Sequence, residues 1–543
     1  MRSESSPPRA MSTAHGTGPA RVALRTHLRR ILAWTVPLLG LLAVVAPSYA
    51  STYPKLSQRQ HLIDSLGDNA ATRLLYGPLP HPGTIGQLAA WEMGTYLIIA
   101  SSIMALLLGV SFVRGAEDSG VAELLQACGH DARDRLRGAM TAIVVVTLGF
   151  GLAVAAVGML ELPLVNELTL QGAVGLGAVT GCCSLCFGLI GLAAGEAADS
   201  SGLAKLLGFL ALAVAFVLRA VANVHGVTSL RWVSPLGWKD AEAPYTYDRW
   251  WSLLVFVALC SAVGVSVWLI GIGREYATAP LHERVTSDER LHARSALALT
   301  WHLERGRWLS WTAVCAALTA LFGGMSGSLV QLLQQDSSTA KLMSDVTGEH
   351  RLDAAFFSFA GVLLGLLAGC YAVLTVLGSG TDEADGLLED LLACGVAPRR
   401  PLAGRAVVAS LGSLAMLVVV GAVGALVTVT QLDGAAAGRN FAYIVGQWPA
   451  VLALTGIGVL LVGVRRTIAV AAWVPVAGSA ALVLMGTVLH APHWLQVSAV
   501  FSHVPDYADG NSPSTGVFVL ILCFLVCAPL GIVWRSRRDL MPG

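Results

Sequence analysis

The chain has 543 residues, 55% hydrophobic and only 13% charged, with a mean hydropathy of +0.67. Soluble domains carry about 25% charged residues, so this composition excludes a soluble globular protein. Its 35 Lys and Arg against 34 Asp and Glu leave a formal net charge of +1, too little to build the basic surface that nucleic-acid binding needs.

Residues 1–20, rich in Ser, Pro, Gly and Ala, read as a disordered tail. Apolar runs near the length a bilayer helix needs then recur through the chain, centred near Leu41, Met104, Leu148, Cys183, Ala213, Ser261, Leu318, Leu364, Leu417, Leu454, Leu482 and Leu522. The expected fold is therefore an all-α polytopic membrane protein of about twelve transmembrane helices. With an even number of spans both termini share a side, and Lys and Arg choose it, because they accumulate in cytoplasmic loops. Placing both termini inside puts 25 of the basic residues in cytoplasmic segments and nine outside, with Arg219 within a span. The first run, preceded by Arg29 and Arg30 and ending in Ser48-Tyr49-Ala50, also fits a cleavable signal peptide; retention is expected, because it approaches spanning length.

Residues 51–93 form the longest outer loop, with amphipathic helices expected near Leu62–Leu66 and Ala70–Tyr76. After the second span comes Arg114-Gly-Ala-Glu117-Asp-Ser-Gly120-Val-Ala-Glu123-Leu-Leu-Gln-Ala-Cys128-Gly129. After the eighth comes Gly380-Thr-Asp-Glu383-Ala-Asp-Gly386-Leu-Leu-Glu389-Asp-Leu-Leu-Ala-Cys394-Gly395. At a constant offset of 266, Glu117/Glu383, Gly120/Gly386, Glu123/Glu389 and the Ala-Cys-Gly triplets coincide. This ungapped match lies in polar sequence, so shared membrane hydrophobicity does not explain it. It predicts two parallel six-helix repeats, 21–270 and 271–543. Each carries a short acidic amphipathic helix, over 115–128 and 381–394, with acids at its N-terminal end and a Gly stop. Acids fit an anionic leaflet poorly, so these helices read as docking surfaces for a cytoplasmic partner.

Leu24-Arg-Thr-His27-Leu-Arg29-Arg30, before the first span, and Leu299-Thr-Trp301-His302-Leu-Glu-Arg305, before the seventh, have the make-up of interfacial elbow helices. Arg219, near the outer end of the fifth span, is a candidate substrate contact, although Arg at that depth can snorkel to the interface. Trp232 and Trp238 belong to an aromatic-rich loop before the sixth span and could line an exit vestibule; aromatic belts account for most such clusters. No catalytic constellation stands out. The ten cysteines imply no disulfide framework, and Cys182, Cys183 and Cys186 lack the company of a metal site.

The sequence resembles the ABC type-2 permeases of actinobacterial polyketide-antibiotic and multidrug exporters, the tetronasin-resistance-like membrane subunits. The resemblance covers most of the chain and rests on Arg114–Ala127, on Leu218-Arg219-Ala220 leading to Trp232-Val-Ser-Pro235-Leu-Gly-Trp238, on Gly273-Arg274, and on Ser295–Gly306. Ala116 departs from it, standing where a second acid is common, and the second half lacks the Trp-x-Ser-Pro stretch, with His503-Val-Pro505-Asp506-Tyr507 near the equivalent place. The resemblance implies a multi-pass protein of the bacterial plasma membrane that exports hydrophobic or amphipathic compounds, antibiotics and drugs among them. Separate ATPase subunits, two copies, would bind ATP and Mg, the permease itself holding no cofactor. In that scheme Glu117, Gly120, Glu123, Glu383, Gly386 and Glu389 form the ATPase-coupling elements. The chain has no Gly-x-x-x-x-Gly-Lys-Ser/Thr, so it has no loop of that kind to cradle ATP phosphates. The alternative is a twelve-helix secondary transporter, which would want acids within its spans to carry protons; these are scarce. A membrane enzyme comes third.

Overall fold

A computed structural model of the chain describes residues 18–66, 73, 76–272, 280–281, 295–335, 352–384, 386–432, 434–485, 499–504 and 515–538. The chain is an all-helical polytopic membrane protein. It divides into two compact units, Met1–Ser287 and Asp288–Gly543. The boundary expected from sequence, 270/271, falls slightly earlier; residues 273–279 and 282–294, Arg274 among them, lie outside the described residues, as do 1–17 of the tail.

The first unit runs α1 (Gly18–Thr52), α2 (Leu56–Leu66), α3 (Ile85–Val110), α4 (Val121–Ala127), α5 (Ala132–Glu161), α6 (Leu170–Ala197), α7 (Ser201–His225), α8 (Thr228–Val233), α9 (Trp238–Glu242) and α10 (Trp251–Ile272). The second runs α11 (Ala296–Gln335), α12 (Leu352–Ala384), α13 (Leu387–Ala393), α14 (Arg400–Gln431), α15 (Gly434–Val445), α16 (Trp448–Val464), α17 (Trp473–Met485) and α18 (Thr515–Arg537). Among the described residues ten helical stretches are long and apolar enough to cross a membrane, α15 with α16 counting as one. All twelve expected centres fall in helices; Leu318 and Leu482 lie in α11 and α17, which are outside those ten. The elements of the second unit recur close to the same 266-residue offset: α4 and α13 start at Val121 and Leu387, α3 and α12 at Ile85 and Leu352, α10 and α18 at Trp251 and Thr515.

Helix α6 is the axle of the first unit, packed by α3, α5, α7 and α10. It can be so because glycine removes the side chains at its crossings. A Cβ on Gly151 of α5 would stand 2.6 Å from the carbonyl oxygen of Gly177, and one on Gly177 would stand 2.5 Å from that of Gly151. Without such glycines the helices could not approach at this distance, and close approach is what holds helices together where no water drives association. In the second unit α12 and α14 form the core with α15 and α16, and α18 lies along α16.

The outer loop is shorter than the 51–93 expected. Thr84 caps α3 with a full capping box, accepting from the Gln87 amide while Gln87 reaches back to the Thr84 amide, so the span starts at Ile85. Glu92 is consequently inside α3, where it accepts from the Tyr49 hydroxyl at 2.5 Å. Helix α2 matches one of the two expected surface helices, and most of the other, near 70–76, lies outside the described residues.

Candidate functional site

The acidic segments do not form single helices over 115–128 and 381–394. In the first unit α3 continues through one π turn, Ser111–Gly115, and a short helical piece, Ala116–Asp118, so that Glu117 ends the span and does not start the acidic helix. The backbone then turns at Gly120 (φ +73°), and at Gly386 (φ +76°) in the second unit. A residue with a Cβ strains in this left-handed region, which is why both repeats keep glycine there. Seven-residue helices follow, α4 and α13, and both end in the same double hydrogen bond. The His130 amide donates to Leu125 O and the Gly129 amide to Gln126 O; Val396 donates to Leu391 O and Gly395 to Leu392 O. This is a Schellman closure, with Gly129 (φ +86°) and Gly395 (φ +82°) as the expected stops.

The two acids of each repeat have different surroundings. Glu117 turns inward to Arg114 at 2.5 Å and Arg135 at 3.8 Å, its side chain 7% exposed. Arg114 also donates through Nε to the Ala198 carbonyl at 2.9 Å, tying α3 to the end of α6. Glu383 is the counterpart, 3% exposed, accepting from Arg538 at 2.7 and 2.9 Å and facing Arg535 at 3.3 Å. It thereby holds the end of α18. Glu123 and Glu389 point outward and are exposed, beside the exposed Leu124 and Asp390 respectively. Beneath them Ala122 and Leu388 are buried and anchor the short helices.

A second group of charges lies at the opposite, outer end of the first unit. Arg219 is buried, donating to Asp240 Oδ2 at 3.1 Å, the Tyr76 carbonyl at 3.0 Å and Thr95 Oγ1 at 3.3 Å. Lys239 donates to the Trp91 carbonyl at 3.1 Å and Thr95 Oγ1 at 2.9 Å, and stands 3.4 Å from Asp240. Burial pushes Lys239 down to about 8, Asp240 partly countering it. Asp240 is held below the usual carboxylate range: burial raises it, but Arg219 and Lys239 outweigh that. Glu242 is pushed up to about 8 by burial, with Asp248 adding to it, and neither carboxyl oxygen has a hydrogen-bond partner among the described residues. This cluster straps α9 onto α3 and α7, so Arg219 acts as a structural tie in this conformation. Trp238 is likewise packed, 1% exposed, stacked on Phe256 at 4.6 Å and donating to the Trp232 carbonyl at 3.0 Å. Trp232 stacks on Trp251 at 5.0 Å. Both rings are thus engaged in packing among the described residues.

The segments expected as elbow helices are the first turns of α1 and α11, not separate elements. Helix α1 runs unbroken from Gly18 to Thr52, Pro37 and Pro47 included, so nothing separates the expected elbow from the span. Arg29, Arg30, Trp301 and Arg305 are exposed and His302 is half-buried, with Trp301 5.7 Å from Trp308. Glu304, inside that segment beside His302, reads from sequence as solvated but is buried. It accepts from Arg405 at 2.8 Å and from Arg307 at 2.8 Å, and Arg405 also donates to Asp382 at 2.6 Å and to the Thr375 carbonyl at 2.9 Å. The available signal was Arg405 standing as the sixth residue of a helix that carries no further charge after it. Among the described residues no three His, Cys, Asp or Glu gather as a metal site.

Helices of spanning length with charged clusters at their ends define the class, a multi-pass helical membrane protein. The particular likeness is to the Multidrug efflux system permease protein Rv1217c of Mycobacterium tuberculosis, 27% identical over 534 residues, covering 95% of this chain and 94% of that protein. The family model described as Multidrug efflux system permease Rv1217c, C-terminal domain, matches residues 294–534.

Proposed function

We propose that this chain is the membrane-spanning subunit of an ATP-driven ABC exporter in the plasma membrane. It would move hydrophobic or amphipathic compounds, antibiotics and drugs among them, out of the cell. The observation that carries the reading is the twice-built acidic element: a glycine turn, a seven-residue helix and a Schellman stop, with an exposed glutamate at the equivalent position, Glu123 or Glu389. Two equivalent elements suit two copies of a separate ATPase that binds ATP and Mg. Similarity to a multidrug efflux permease supports transport and the efflux direction. ATP-driven closure of the ATPases would push on α4 and α13, and buried ion pairs at Glu117 and Glu383 would pass that force to the spans. Cargo would enter from the cytosol or inner leaflet, where apolar walls accept apolar compounds without specific ligands.

A secondary transporter is the competing reading, favoured by one observation, the buried Glu242 carboxyl without a hydrogen-bond partner among the described residues, which could carry a proton. Purification from the native host in mild detergent separates the two. A co-purifying ATPase at roughly two copies per chain, lost with Glu123→Arg/Glu389→Arg, is the expected result. A solitary chain that transports in vesicles on a proton gradient alone would overturn the proposal.

A further inference from the structure

A cavity of about 360 Å³ lies within the first unit beneath α4, between the starts of α1, α5 and α7. Its floor is apolar, built from Val22, Phe112, Val113, Leu136 and Ala139 among others, and Val121 and Leu125 of α4 form part of its cover. Three cations line it, Arg30, Arg135 and Lys205, against two carboxylates, Glu117 and Glu196. Glu117 is already matched by Arg114 and Arg135. Arg30 on α1 and Lys205 on α7 are exposed and make no ion pair among the described residues. Thr26, one turn before Arg30, and Ser201, one turn before Lys205, add hydroxyls to the same wall.

The second unit shows why the space exists. At the 266-residue offset, Ala116 and Ala139, both lining the cavity, correspond to Asp382 and Arg405. There Arg405 and Asp382 pair at 2.6 Å and Glu304 joins them at 2.8 Å, so the equivalent place is occupied by side chains. In the first unit alanines replace that pair, and of the cations lining the cavity Arg30 and Lys205 make no ion pair among the described residues.

We infer that this cavity binds the phosphate headgroup and upper acyl chain of an anionic phospholipid of the inner leaflet, the phosphate between Arg30 and Lys205. The charge distribution of the chain puts this end at the cytoplasmic face, and the apolar floor continues toward the membrane core. A zwitterionic lipid offers the same chains but no net charge, so binding should discriminate. The inference does not depend on ATPase docking, although occupancy would buttress α4 from below.

The test is native mass spectrometry of the full chain in nonionic detergent, titrated with dioctanoyl phosphatidylglycerol, dioctanoyl phosphatidylcholine or inorganic phosphate. The wild type should retain phosphatidylglycerol in preference to phosphatidylcholine. Arg30→Gln/Lys205→Gln should weaken that retention by about 30-fold, the factor that two basic side chains near an anionic surface supply. Ala139→Leu, which fills the floor, should abolish it, while Arg30→Lys/Lys205→Arg and the outer-side Lys55→Gln should leave it in place. Equal retention of the two lipids by the wild type overturns the inference, and so does unchanged phosphatidylglycerol retention in the Gln pair. Displacement of the lipid by equimolar inorganic phosphate would assign the site to a free phosphate and overturn the lipid.

Discussion

Glu383→Ala provides the most direct check on the division between inward and outward acids. It leaves Arg535 and Arg538 facing each other without the carboxylate that joins them at 3.3 and 2.7 Å, in a place where the three side chains are 6%, 14% and 3% exposed. Removing one partner of a buried pair costs about 3–5 kcal/mol, because the remaining charge stays buried and uncompensated. At roughly 2–4 °C per kcal/mol for a unit of this size, the melting midpoint should fall by about 6–20 °C. Glu389→Arg changes an exposed residue, and such changes stay within about 0.5 kcal/mol. Tryptophan-fluorescence melting of the two purified variants, together with ATPase capture, reads both effects. Glu383→Ala should melt early, and Glu389→Arg should melt like the wild type while capturing less ATPase. The reverse pattern, a stable Glu383→Ala that loses the ATPase, would refute the reasoning.

Gly120→Ala and Gly386→Ala each force a Cβ into the left-handed region at positions where no atom stands within 4 Å, so the cost is backbone strain alone, about 1–2 kcal/mol. Thermal melting should show a drop of a few degrees for each, and Asn at the same positions should restore most of it. Arg219→Met removes one of the two cations beside Asp240, leaving Lys239 at 3.4 Å and the Asn223 amide at 3.0 Å, and should destabilise the first unit by about 1–3 kcal/mol, detected as early loss of monodisperse protein on heating. Glu242 gives a pH signature. Its carboxyl titrates near 8 when folded against 4.5 in its ordinary state, so the folded chain binds the extra proton between those values and stability falls as pH rises through that window, by at most about 1.4 kcal/mol per unit. The melting difference between wild type and Glu242→Gln across pH 5 to 8 should show that slope; a flat difference would exclude a buried, titrating Glu242.

The spans were legible because apolar runs of bilayer length have few other uses, and α1 to α18 carry every centre expected from them. The acidic elements were legible as paired segments from identities at one offset, but not their internal geometry. Periodicity cannot distinguish a helix that begins at Glu117 from a span that ends there; the difference is made by Gly120, whose positive φ breaks one helix from the next. Nor could spacing show that Glu117 and Glu383 face inward, because their partners differ. Arg114 is three residues from Glu117, whereas Arg535 and Arg538 are more than 150 residues from Glu383. Arg219 was visible as a charge at membrane depth, yet its role depends on Asp240 and the Tyr76 carbonyl, which only the folded loop delivers.

A seven-residue helix has too few turns to hold itself in water, since nucleation is costly and isolated helices need roughly twice that length. Helices α4 and α13 must therefore borrow their shape from what fixes their ends. One end is set by a glycine that takes the positive φ other residues strain to adopt, the other by a Schellman closure, and the middle by one buried residue, Ala122 or Leu388. The span leading into each is pinned within three residues of the glycine by Glu117 or Glu383. A push on the exposed acid has little flexible chain in which to dissipate, so it reaches α3 in one unit and both α12 and α18 in the other. Because Glu383 ties two spans and Glu117 ties α3 to α5 and, through Arg114, to the end of α6, the same push engages different helices in the two units. On the proposed reading the two elements are alike in build and would differ in what they move.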